Sequence, residues 1–162
     1  MSGTVAAAPA RSPTVTSLPL LSHFRLSRYL RCPEQYRLHY LEGLRPRFPS
    51  ASLVFGQIAH QALAHLFQED GDPVALFLEG WSGARELELT YARYDSWEKL
   101  RDRGEAVLEK FVAEELPKIE EVEAVERPFR LDVTGLETPF VGVIDLVARI
   151  EGTRTLVDFK TS

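Results

Sequence analysis

Asp145, Asp158 and Lys160 lie on two segments rich in Val, Ile, Phe and Thr, residues 139–150 and 153–161, separated only by Glu151-Gly152. A two-residue hairpin loop there pairs Ile150 with Thr153, and the same register carried inward sets Asp145 directly across from Asp158. The two carboxylates then share one face with Cβ atoms about 4.5–5.5 Å apart. The alternating pleat adds Lys160 to that face and sends Phe159 to the other. Val143, Val147 and Leu156 make one face apolar, and Ile144, Leu146, Val157 and Phe159 the other, which predicts central, covered strands. Opposed carboxylates in such a place repel and are costly to desolvate. Lys160 supplies one positive charge, and a hard divalent cation with oxygen ligands would supply the rest. On their own, the same residues read equally as an Asp158–Lys160 salt bridge at a sheet end, with Asp145 paired elsewhere.

Other residues could join this constellation. His60, in Phe55-Gly-Gln-Ile-Ala-His60, follows Gly56 by one helical turn, so Gly56 is expected to clear space above the imidazole. Beside Ile58 and Ala59 it reads also as a hydrogen-bonded core histidine. Glu126 could present a third carboxylate from a neighbouring strand, with Glu123 competing for the role and a solvated edge charge as the other reading. Tyr36 and Tyr40 with Arg25, Arg28, Arg31 and Arg37 have the chemistry of a surface that stacks on bases and contacts phosphates. They also suit side chains that lie over a core with their polar ends in water.

The elements that must hold these residues change period along the chain. Residues 1–20, rich in Ala, Pro, Ser and Thr, read as a flexible lead-in. Ser22 suits an N-cap for a helix to about Arg31, and Pro33 restarts a helix that runs to about Leu41. A third helix begins near Ser52, and Asp72-Pro73 caps a fourth through the 80s, weakened by Gly80 and Gly83. Asp95 opens a helix from Ser96 to about Leu116, expected to be the longest, which Pro117 ends. Three strands follow, over 122–132, 139–150 and 153–161, as a meander. Helices first and sheet last predict an α+β or mixed α/β fold.

Composition narrows the classes. At 162 residues the chain suits one domain, and 44% hydrophobic with 27% charged residues excludes a wholly disordered chain. A single cysteine excludes a disulfide framework, a four-cysteine zinc site and an iron–sulfur cluster built from this chain alone. No apolar run approaches the roughly 18 residues of a membrane span, and no secretory leader is evident, so a reducing, cytoplasmic setting is expected. No G-x-x-x-x-G-K loop occurs, which excludes a P-loop motor. The net charge of −5 hides a division: residues 1–65 hold seven Arg against two Glu and all four His, and the remainder is strongly acidic. Such asymmetry fits a polyanion-facing surface or a solvated charged helix.

Taken in order, several segments resemble the RecB-like branch of the PD-(D/E)XK nuclease superfamily. They are Leu21-Ser-His-Phe, Tyr29-Leu-Arg-Cys-Pro-Glu-Gln-Tyr36 with Tyr40, Phe55-Gly-Gln-Ile-Ala-His60, Val125-Glu126, Val141-Gly-Val-Ile-Asp145-Leu and Leu156-Val-Asp-Phe-Lys-Thr-Ser162. The resemblance covers most of residues 21–162. It implies a restriction-endonuclease-like core and metal-dependent hydrolysis of DNA phosphodiesters, more often as an exonuclease than an endonuclease, in repair or recombination. By position it implies Asp145 and Asp158 as ligands of Mg²⁺ or Mn²⁺, with the Phe159 carbonyl and His60 completing the set. Lys160 would position or help deprotonate the attacking water, and Glu126 would be a further acidic group. It also implies single- or double-stranded DNA, and a helicase subunit or domain, as partners.

The match departs from the family in places. Ile144 stands where the motif name has Pro, and Asp158 takes the Asp option of the (D/E)XK element. Cys32 lacks the three late cysteines that accompany it in members with an iron–sulfur cluster, so no such cluster is expected. The family continues beyond its Asp-x-Lys strand with a helix bearing Gln-x-x-x-Tyr. The expectation is therefore a nuclease domain over 21–162 that lacks its C-terminal portion. The competing expectation is an inactive or truncated nuclease fold that binds DNA or a partner without cutting, and a small-molecule metal hydrolase is the remaining class.

Overall fold

The computed structural model describes residues 20–161, so all but the last residue of the flexible lead-in expected over 1–20 lies outside the described residues. The chain belongs to the mixed α and β class: among the described residues, five helices are followed by one three-stranded antiparallel sheet. Helix α1, His23–Arg31, starts where Ser22 Oγ accepts the Arg25 N–H, as its N-cap position predicts. Helix α2, Pro33–Tyr36, restarts at the proline and loosens into a wider π-type turn, Arg37–Leu41. Helix α3, Ala51–Glu69, is the longest at 19 residues and ends on left-handed Asp70. Helix α4, Pro73–Gly83, is capped by Asp72, whose carboxylate accepts the Val74 and Ala75 N–H groups. Helix α5, Trp97–Lys110, is capped by Ser96 and has 14 residues, continuing as a wide turn over Phe111–Glu115 and a 3₁₀ turn over Leu116–Lys118. The expectation that this helix would be the longest is thus corrected, because its regular part stops six residues early.

The helical core is aromatic. Phe77 and Trp81 of α4 are fully buried, Phe55 of α3 meets the Phe77 ring edge-on at 5.4 Å, and Leu100 and Leu108 of α5 close the cluster. Helices α4 and α5 approach closely because Gly104 has no side chain: a Cβ there would sit 2.1 Å from the Phe77 ring. Trp81 Nε1 donates to the Trp97 carbonyl at 3.0 Å, which satisfies the one polar atom that this buried ring carries.

The sheet runs in the order β1 (Ile119–Leu131), β2 (Phe140–Ile150), β3 (Thr153–Val157). The expected hairpin forms, with Ile150 opposite Thr153 and the register held to Leu146 opposite Val157. Glu151 and Gly152 both take positive φ, 49° and 73°, as a two-residue turn that follows the strand twist requires. Two details differ from expectation. Strand β3 ends at Val157 instead of reaching Thr161, so Asp158, Phe159 and Lys160 leave the ladder. Nor are the hairpin strands covered throughout on both faces: Val143 is 58% and Leu156 66% exposed. Burial on both faces is confined to Leu146, Val147 and Ala148 at the middle of β2.

Candidate metal centre and the residues around it

Asp145 stands one residue before the buried Leu146-Val147-Ala148 run, where β2 passes α3. Its carboxylate works in two directions. Oδ2 accepts the Phe159 backbone N–H at 2.8 Å, and Oδ1 lies 3.6 Å from His60 Nδ1 on α3. The first contact explains why β3 stops early, since a side chain has taken the N–H that the ladder would have used. Asp145 and His60 are both largely screened, with side chains 18% and 34% exposed.

Phe159 fixes the other half of the motif. Its ring stacks with Phe67 of α3 at 6.2 Å and meets Phe111 edge-on at 5.6 Å and His60 edge-on at 6.3 Å. Each such aromatic pair contributes about 0.5–1.5 kcal/mol beyond its area burial. The apolar residue of the Asp-x-Lys triplet is therefore the anchor, and it turns Asp158 and Lys160 outward. Those two pair with each other, Lys160 Nζ lying 2.6 Å from Asp158 Oδ2, with side chains 71% and 66% exposed.

Gly56 does something other than expected. The open space at its Cα faces Thr161 Oγ1, which would be 3.3 Å from an added Cβ, so the glycine admits the segment after Lys160 rather than clearing the imidazole. Gly56, His60 and Phe67 are spaced at helical intervals along α3, and each meets Asp145 or the 159–161 segment. That spacing was visible in the chain, but nothing local said what the face would meet.

Glu126 lies across the ladder from Asp145: Val125 pairs with Leu146 and Arg127 with Ile144, while the intervening pair is skipped. Glu126 is exposed and has φ of 47°, a left-handed conformation inside a strand. Its competitor Glu123 is taken by Arg154 at 2.7 Å. Among the described residues no three His, Cys, Asp or Glu side chains converge on one point. The structure thus brings together His60, Asp145 and the Phe159 backbone, holds Asp158 beside Lys160, and leaves Glu126 across the strand. The donors fit a divalent cation in type, with carboxylates and a backbone carbonyl suiting Mg²⁺ or Mn²⁺ and an imidazole favouring the softer of the two.

The sequence from residue 20 to residue 162 matches the sequence profile of the PD-(D/E)XK nuclease superfamily. The chain belongs to that superfamily. A PD-(D/E)XK nuclease hydrolyses nucleic acid, typically with divalent metal ions, and the three-stranded sheet with flanking helices accords with its restriction-endonuclease-like fold. No curated protein and no solved structure matches the chain significantly.

The PD-(D/E)XK core carries a basic, aromatic surface on its first two helices. Arg25 lies over the Tyr40 ring at 4.3 Å and donates to Tyr36 Oη at 3.1 Å, and Arg28 lies over Tyr40 at 5.6 Å. Tyr36 touches both Tyr29 and Tyr40, at 5.5 and 5.1 Å. Arg31 is exposed at the end of α1. Arg37 is engaged differently: Glu34 and Glu42 hold its guanidinium, and the Glu34 bond and charge raise its pKa and lower that of Glu34. Burial first, then the charges of Arg28 and Arg45, push the His39 imidazole below its ordinary pKa. No helix among the described residues is long and apolar enough to cross a membrane.

Proposed function

We propose that this PD-(D/E)XK protein is a Mg²⁺- or Mn²⁺-dependent deoxyribonuclease of the RecB-like exonuclease type, acting in DNA repair or recombination in the cytoplasm. The observation that supports it best is the junction where Asp145 binds the Phe159 N–H and meets His60, with Asp158 and Lys160 on either side of Phe159. His60, Asp145, Asp158 and the Phe159 carbonyl would hold the ion, and Glu126 would add acidity across the strand. When bound, a divalent ion lowers the pKa of water and offsets the charge that develops on the phosphate.

The chain's own groups divide the remaining work. Asp145 anchors the backbone of the Asp-x-Lys triplet through the Phe159 N–H and faces the His60 imidazole at 3.6 Å, so its loss would disturb both. Lys160 pairs with Asp158; where Asp158 helps hold a divalent ion, the Lys160 ammonium would orient the attacking water and contact the phosphate oxygens. Such preorganised charge is the main source of stabilisation when phosphate charge develops. Arg25, Arg28 and Arg31 with Tyr36 and Tyr40 would guide the strand by phosphate contact and stacking. Arg37 contributes less, because Glu34 and Glu42 neutralise it. A helicase subunit or domain that delivers single strands is the partner this reading carries.

A second reading, a nuclease fold that binds DNA without cutting, is favoured by the absence of a three-ligand cluster among the described residues. The two are separated by incubating end-labelled single- and double-stranded DNA with Mg²⁺, Mn²⁺ or EDTA. Metal-dependent cleavage supports the enzyme. Salt-sensitive binding without cleavage supports the binding module, and cleavage that survives both Asp158→Ala and Lys160→Ala removes the assignment of the site.

A further inference from the structure

Beside the Asp-x-Lys segment, α3 and α5 leave a cavity of about 260 Å³. Its lining is mostly apolar, including Leu63, Val107, Phe111 and Phe159, and holds two exposed cations, Arg103 and Lys160, the latter paired with Asp158 at 2.6 Å. The volume lies just below the roughly 300–1,000 Å³ of sites for drug-sized molecules, which suits one nucleoside and not a base pair. Arg103 is held in place by Asp95, whose Oδ1 lies 3.1 Å from one guanidinium nitrogen. Asp95 takes one of the five N–H donors of that fork, and the geometry suits a phosphate at the others. An apolar slot with aromatic rings and two exposed cations in its lining, each held by one aspartate, complements one chemistry: a base with a phosphate on each side.

We infer that this cavity holds one base of the substrate strand, with Arg103 and Lys160 contacting the flanking phosphates. The inference rests on the nuclease reading for its substrate and deepens it by assigning a site for the nucleotide next to the scissile bond. Because a base pair does not fit, the site selects single strands or frayed ends. Stacking of a base on aromatic side chains changes affinity by about 5- to 150-fold.

The test is fluorescence-anisotropy titration of the whole chain in EDTA, so that nothing is cut, using labelled oligothymidylate and the same strand with one abasic position walked along it. A single abasic position should weaken binding at least fivefold. Val107→Trp, which fills the cavity from a half-exposed position, should bind the intact strand as weakly as wild type binds the abasic one. Arg103→Ala should lower the slope of log affinity against log salt by about 0.7, as expected for one lost contact on single-stranded DNA, and Arg103→Lys should restore it. Equal binding of intact and abasic strands by wild type overturns the inference, even where Mn²⁺-dependent cleavage shows the nuclease reading to be right. Conversely, base discrimination abolished by Val107→Trp, with no cleavage under any metal, upholds the cavity and refutes only the catalytic reading.

Discussion

Glu126→Gly separates strain from chemistry at a single position. Glu126 holds φ of 47° inside β1, a conformation that costs a residue with a Cβ about 1–2 kcal/mol. Its side chain is exposed, so truncating it removes little packing. Glycine relieves the strain but gives the unfolded chain extra freedom, worth about 0.5–1 kcal/mol. The net stabilisation is about 0.5–1 kcal/mol, or an increase in Tm of about 1–4 °C for a domain of this size. The assay pairs thermal denaturation with Mn²⁺-dependent cleavage of labelled DNA. If the strain is retained because Glu126 serves the site opposite Asp145, Glu126→Gly is more stable and cuts more slowly. Glu126→Gln keeps the strain, leaves Tm unchanged and also cuts more slowly. Asp70→Gly, at the left-handed end of α3 and remote from Asp145, should match the gain in Tm with undiminished cleavage. A lower Tm for Glu126→Gly refutes the strain argument, and full cleavage by Glu126→Gln refutes the functional reason for it.

Gly104→Ala drives a Cβ into the buried Phe77 ring and should cost about 1–3 kcal/mol by urea denaturation, while Phe77→Leu on the same chain should recover part of the loss. Gly56→Val pushes on Thr161 without touching a proposed ligand, so it should lower cleavage more than it lowers Tm; an unchanged rate would show that the segment after Lys160 needs no such support. His39 has a depressed pKa in the fold, so the unfolded chain binds its proton more readily and stability falls as pH drops below its ordinary value of 6.5. His39→Asn should flatten that part of the stability–pH curve, and an unaltered curve would show that burial and the charges of Arg28 and Arg45 do not act on it.

Much of the positioning was legible because it is set by local chemistry. Ser22, Asp72 and Ser96 cap their helices where side-chain oxygens precede apolar periods, and Glu151-Gly152 turns the hairpin in the register that places Asp145 near the end of β3. What was not legible depended on contacts between distant elements. The ladder ends at Val157 because the Asp145 carboxylate captures the Phe159 N–H, a competition that residue periodicity does not reveal. Gly56 faces Thr161, over a hundred residues away in the chain, instead of the imidazole one turn along. Leu156 and Val143 are apolar yet exposed, so their composition alone suggested a cover that the packing of the described residues does not supply. Arg37 shared its spacing with the other arginines of the first helices, and only the carboxylates of Glu34 and Glu42 set it apart.

The proposed chemistry requires one divalent ion at the junction of α3, β2 and the Asp-x-Lys segment. Titrating the chain with Mn²⁺ and following free Mn²⁺ by electron paramagnetic resonance tests this directly, without relying on cleavage. The expected result is a site in the wild-type chain whose affinity falls at least about tenfold in Asp145→Asn, Asp158→Asn and His60→Ala, with each fold verified by circular dichroism. Mn²⁺ binding that is unchanged in all three folded variants would contradict it.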